Sequence, residues 1–328
     1  MKNLIYYPNF ESNDLEWLKF SLLYLDNFSP IVPETGVPFL SELYKRLQNE
    51  TDLLKLQSPG IGAGTRATRK AIEYVTKVIQ NPHSFADELH SANIVRVWTN
   101  QDEQNYILFD EKFVGEWRWF CEENNFVKDS RFGIDISKSL GELYMTFLAQ
   151  EVAYEKEASP ITDNKNLDEL SISIRTKNIT NDNKIKVAKS IIEHKLPLDF
   201  SELPIEKVIT IRNSPDFKTK QSAFHSELDN AYNKLGMGID PSEFSKSFNR
   251  TLKDWTGELT SLGIKTISYG LSAYILLESD EPSNLEYIKR ALEAGLILQG
   301  GKSLVKNINK NHERKYCRQY LTQLESVK

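Results

Sequence analysis

The chain opens by alternating strand-like with helix-like patterns, and a chain patterned this way is constrained to lay helices against a sheet. Leu4-Ile5-Tyr6-Tyr7 is short, β-favouring and closed by Pro8, which reads as a buried strand. Asn13 stands three residues before Glu16 as a helix N-cap with a helper carboxylate, and Trp17, Leu18, Leu22 and Leu25 follow at helical spacing. Phe28 to Val32, bounded by Pro30 and Pro33, makes a second strand. Phe39, Leu40, Leu43, Tyr44 and Leu47 make a second helix. Ile94 to Trp98 and Tyr106 to Phe109 read as two further strands, expected to pair as a hairpin. A long helix follows Ser137, and Ser159 to Asp163 reads as a strand ending in a polar turn. This order predicts an α/β or α+β N-terminal domain over residues 1–172.

Helical patterns dominate beyond that point and predict a mainly α-helical domain over 173–328. Phe217, Phe224, Leu228, Ala231 and Leu235 share one face, and Asp240-Pro241-Ser242-Glu243 is an N-cap, an N1 proline and an N3 glutamate before Phe244 to Leu262. Ser283 with Glu286 repeats that logic. The polar stretch 163–183 reads as the boundary, with Ile172 and Ile174 open to a last strand.

At 328 residues the chain can bury a sizeable core without staples. Its formal net charge of −5 leaves only local patches to attract nucleic acid or an anionic membrane. Cys121 and Cys317 stand far apart, which suits a reducing compartment. The N-terminus lacks a secretory pattern, and the apolar stretch from Ile264 to Leu277 is shorter than the ~20 residues a bilayer requires. The expectation is therefore a cytoplasmic protein.

Five histidines show no HExxH and no pairing with cysteine, which argues against zinc chemistry, and no Gly-x-Ser-x-Gly elbow is present. Gly60, Gly62 and Gly64 precede a helix expected to begin near Arg66, and glycine-rich backbone opening into a helix can bind phosphate through exposed N–H groups. The spacing fits neither a Walker loop nor a dinucleotide fingerprint, so a mobile connector is the preferred reading. Arg66, Arg69 and Lys70 keep a nucleic-acid reading open, as do Arg314, Lys315 and Arg318 with Tyr316 and Tyr320 among them. For that last segment a solvated terminal helix is preferred. Trp117 and Trp119 read as core residues rather than a base-stacking platform.

The helix containing Leu148, Ala149, Val152 and Ala153 leads into Pro160-Ile161-Thr162-Asp163-Asn164, which resembles the helix, strand and Thr-Asp turn near the end of PIN-type ribonuclease domains. The resemblance implies that Asp163 helps to hold Mg²⁺ or Mn²⁺ with other carboxylates, because phosphodiester cleavage needs clustered hard oxygen ligands. Here the first strand ends Tyr7-Pro8-Asn9 where such a nuclease places an aspartate, leaving Glu11, Asp26 and Glu34 as distant candidates. A cap or turn role for Asp163 is the preferred alternative.

Tyr6-Tyr7-Pro8, Trp17-Leu18-Lys19, Leu22-Leu23-Tyr24, Asp26 and Ile31-Val32-Pro33 resemble the start of a bacterial family known as a domain of unknown function. Tyr144-Met145 through Thr162-Asp163 resembles its second stretch. This implies a bacterial or phage-related cytoplasmic protein, with antiviral defence its expected setting. The leading expectation is a non-enzymatic interaction or accessory protein whose partner is another protein, needing no cofactor or metal. The alternative is a Mg²⁺- or Mn²⁺-dependent nuclease or a nucleic-acid-binding component.

Overall fold

The structure, a computed structural model, describes residues 4–177, 192–197, 203–223, 226, 254 and 268–273. In chain order these form β1 (Leu4–Tyr6), α1 (Leu15–Tyr24), β2 (Ser29–Pro30), α2 (Glu42–Glu50), α3 (Ile61–Gln80), α4 (Ile94–Thr99), β3 (Gln104–Phe109) and α5 (Gly115–Glu123). There follow β4 (Val127–Ser130), β5 (Gly133–Ser137), α6 (Lys138–Glu155), β6 (Ser159–Ile161), α7 (Lys165–Lys177), β7 (Ile192–Pro197), α8 (Ile205–Arg212) and β8 (Ser268–Ala273). Helices and small sheets are thus mixed, as the alternating pattern implies. Among the described residues no helix is long and apolar enough to cross a membrane.

The chain divides into two compact units, one of residues 2–11 and 27–180, the other of Met1, 12–26 and 181–328. In the first unit β1 lies at the centre of a three-stranded sheet in the order β2-β1-β6. Both pairings are parallel, with Ile5 opposite Ser29 on one side and Pro160 on the other. A second sheet, β3-β5-β4, is antiparallel throughout.

The core is organised by α6, which is capped by Ser137, whose side-chain oxygen accepts from the Leu140 N–H. This helix is buried nearly all round, so its sequence shows little amphipathic contrast. On α3, Ala63, Ala67, Ala71, Val75 and Val78 are fully buried at spacings of three and four, and the small side chains let α3 pack closely on α6. Between them runs a relay of buried hydrogen bonds. The Tyr144 hydroxyl donates to the Lys112 carbonyl (2.9 Å), which leaves the Thr68 hydroxyl to donate to Tyr144 (3.0 Å). Trp117 stacks on Phe120 and lies 4.8 Å from Tyr144 between ring centroids.

In the second unit α1 is capped by Asp14, whose carboxylate accepts from the Glu16 and Trp17 N–H groups, where Asn13 was the expected cap. Its other end is held from far along the chain. The Arg212 guanidinium, 1% exposed, donates to the carbonyls of Leu22 (2.6 Å), Leu25 (2.8 Å) and Asp26 (2.5 Å). The Gln221 amide adds a bond to Leu25. Separately, β7 and β8 pair antiparallel from Ile192–Ala273 to Pro197–Ser268, strands that the helical pattern of this half does not predict. Phe217 is buried as its periodicity implies, while Phe224 and the capped helices beginning at Asp240 and Ser283 lie outside the described residues.

Several expectations are corrected. Residues 94–99 form a helix, not a strand: Ile94 and Trp98 are its buried pair, four apart, and that packing outweighs the β-propensity of Ile94, Val95 and Val97. Residues 106–109 consequently pair not with 94–98, as expected, but with β5. Ile172 and Ile174 lie within helix α7, which occupies much of the expected boundary stretch. Trp117 is fully buried but Trp119 is 72% exposed, because residues two apart on a helix point to nearly opposite sides.

Candidate functional site

In open sheets with parallel strands, ligands bind beyond the carboxyl ends where neighbouring strands connect in opposite directions. That place in the first unit is between β1 and β6. Beyond β1 the chain continues as Tyr7-Pro8-Asn9, and beyond β6 as Thr162-Asp163-Asn164. The Tyr106 hydroxyl donates to the Pro8 carbonyl at 3.1 Å. Gly141 makes room for this contact, since a Cβ there would stand 2.2 Å from the Tyr106 ring. Gly141→Ala should therefore displace Tyr106 and cost about 1–3 kcal/mol, read as a lower melting temperature. An unchanged melt would mean that the ring moves freely.

One turn into α6, Glu142 meets the same region. Burial pushes its carboxyl up, the charge of Asp163 pushes the same way, and Lys138 at 3.8 Å opposes both. Burial likewise raises the Tyr106 phenol, and Glu142 adds to the effect. The charges of Glu142 and Asp163 thus oppose one another at this end of the fold. The start of the following helix is capped by Asn164, whose side-chain oxygen accepts from the Asn166 and Leu167 N–H groups.

The other acids proposed from sequence lie elsewhere. Glu11 accepts a hydrogen bond from the Ser41 N–H (2.5 Å) at the start of α2. The Glu34 N–H donates to Glu111, which also binds Thr35. Asp26 belongs to the second unit, where its carbonyl receives Arg212. Among the described residues no group of three or more His, Cys, Asp or Glu is placed to hold a metal ion.

The glycine run is not a connector ahead of a helix at Arg66. Helix α3 begins at Ile61, with Gly60 as its N-cap at φ 75° and with Gly62 and Gly64 in its first turn. A Cβ on Gly62 would stand 2.8 Å from the Glu155 carboxylate, so this positive helix end already faces a negative group. Arg66 pairs with Glu151 (2.7 Å) and Glu155 (2.5 Å), and Lys70 pairs with Glu151 (2.6 Å). Burial alone would raise the Glu151 carboxyl, but its hydrogen bonds from Lys70 and Arg66 bring it below the ordinary value. Arg69 is exposed. Arg314, Lys315 and Arg318 lie outside the described residues.

Sequence reasoning passed over Glu142 and Lys112. The first lies one turn into α6, and local pattern alone does not set it near Thr162-Asp163. The second sits in the charged run Asp110-Glu111-Lys112, which carries no sign of burial. Yet Lys112 is 2% exposed, its Nζ lies 4.6 Å above the Phe10 ring, and it has no ion pair among the described residues. Burial pushes its ammonium down to about 7. Cys121 is fully buried, which pushes its thiol up and makes it a poor nucleophile.

Comparison of the chain with protein-family models, with curated proteins and with solved structures gave no match.

Proposed function

We propose that the protein is a non-enzymatic interaction or accessory protein, in which an α/β N-terminal part presents a mainly helical C-terminal part to a protein partner. Its setting is the cytoplasm of a bacterial or phage-related system, with antiviral defence the role suggested by the resemblance of its opening Tyr6-Tyr7-Pro8 and Trp17-Leu18-Lys19 stretches. The observation that supports this reading is how the charged candidates are used. Arg66 and Lys70 are engaged by Glu151 and Glu155, and Glu11 serves the start of α2. Large apolar side chains meanwhile face solvent, with Ile61 85%, Tyr154 77% and Trp119 72% exposed.

A second reading, a metal-dependent nuclease with a PIN-like N-terminal part, is favoured by one observation. The strand ending in Thr162-Asp163 lies parallel beside β1, and Glu142 stands near Asp163.

The two are separated by incubating the full chain with labelled single- and double-stranded RNA and DNA, with Mg²⁺ or Mn²⁺, at low and physiological salt. No cleavage and no binding that persists at physiological salt is expected, while a protein partner should co-purify in stoichiometric amount from the native host. Metal-dependent cleavage that disappears in Asp163→Asn and Glu142→Gln would establish the nuclease instead.

A further inference from the structure

Helix α5 turns two contrasting sides outward and inward. Trp117 and Cys121 are fully buried, whereas Glu116, Trp119, Glu122 and Glu123 are exposed. Glu116 and Glu122 stand three residues either side of Trp119 and Glu123 stands four beyond it, so all three carboxylates flank the indole on one stripe. None of these glutamates forms an ion pair, and the Trp119 ring makes no ring contact, among the described residues. The cation next in sequence is directed elsewhere, since Arg118 binds Asp110 (2.8 Å), Asp129 (3.1 Å) and the Gly133 carbonyl. The stripe is also uncovered at its start, because a Cβ on Gly115, four residues before Trp119, would meet nothing within 4 Å.

An indole in water offers the face of its ring to a cation or to another flat group. A nucleic-acid base stacked there would bring phosphates towards three carboxylates, so charge selects against it. A guanidinium satisfies both parts of the surface: it stacks flat on the ring while its N–H groups reach a carboxylate alongside. We propose that the exposed stripe of α5 docks an arginine-bearing segment of a partner protein, with Trp119 stacking on the guanidinium and Glu116, Glu122 and Glu123 pairing with its charge. This rests on the interaction reading above and specifies the partner's chemistry.

The test titrates the full chain into labelled peptides of alternating arginine and serine, lysine and serine, or glutamate and serine, followed by fluorescence anisotropy at low and physiological salt. The arginine peptide is expected to bind more tightly than the lysine peptide, and the glutamate peptide not at all. Trp119→Ala, which leaves every charge in place, should weaken arginine-peptide binding at least about tenfold. The triple variant Glu116→Gln, Glu122→Gln, Glu123→Gln should weaken it further and flatten its salt dependence. Glu42→Gln, an exposed change on α2, should leave it unaltered. Binding that survives Trp119→Ala, equal affinity for the lysine peptide, or no binding at low salt would each overturn the proposal. If the native partner co-purifies equally with the Trp119→Ala variant, this site fails while the interaction reading stands. Cleavage activity with no partner would remove that reading whatever the peptides do.

Discussion

Arg212→Ala should lower the stability of the second unit by at least about 3 kcal/mol, because hydrogen bonds to a buried charged group are worth ~1.5–3 kcal/mol each and three such bonds would be lost together, with only the Leu25 carbonyl keeping a second donor in Gln221. The last carbonyls of any helix have no partner within it. At the end of α1 they are supplied by one guanidinium, which is planar and can reach Leu22, Leu25 and Asp26 at once. Its positive charge also suits the negative end of the helix. Arg212→Lys should recover only part of the loss, since a single ammonium cannot span the same set. Thermal melts of the three proteins check this. An unchanged midpoint in Arg212→Ala would show that water takes over the carbonyls.

Lys112→Met should stabilise the first unit near neutral pH, by roughly 2–4 kcal/mol, and the gain should fade as the pH rises. The amine ionises at about 7 when folded and at 10.5 when exposed. Between those values the unfolded chain binds a proton that the folded chain lacks, so wild-type stability rises with pH by at most ~1.4 kcal/mol per unit. Below about 7 both states are protonated and the full penalty is present. Above 10.5 both are neutral and it is gone. Methionine keeps the length of the side chain and its contact with Phe10 but carries no charge, so its stability should not follow that slope. Melts of both proteins from pH 7 to 10.5 decide the matter. Parallel curves would mean that the ammonium is solvated in the fold.

What could be read from the sequence was mostly local. Ser137 before α6, the strand at Leu4 to Tyr6 and the strand after Ala158 are set by capping and short-range pattern, and all three are present. Where local propensity and burial disagree, burial prevails. Ile94 to Val97 is rich in β-branched residues yet coils: a strand would turn Arg96 to the same face as Ile94 and Trp98, whereas the helix buries those two and leaves Arg96 exposed. The candidate site was half legible: Asp163 stands beyond β6 as its Thr-Asp turn implied, but its neighbour Glu142 is a matter of tertiary placement. The same is true of Arg66 and Lys70. Their charge is plain in the sequence, and its neutralisation by glutamates eighty or more residues later is not.

The central position of β1 also bears on how the protein is made. Leu4 to Tyr6 are made well before one of their two neighbours, Ser159 to Ile161, which follows 155 residues later in the chain. At ~5–20 residues per second, the open side of β1 waits on the order of ten seconds for its partner. During that interval its unpaired N–H and C=O groups, set among apolar side chains, are a template for strands of other nascent chains. Expression at high ribosome density should therefore favour aggregates, and slower initiation should favour soluble protein.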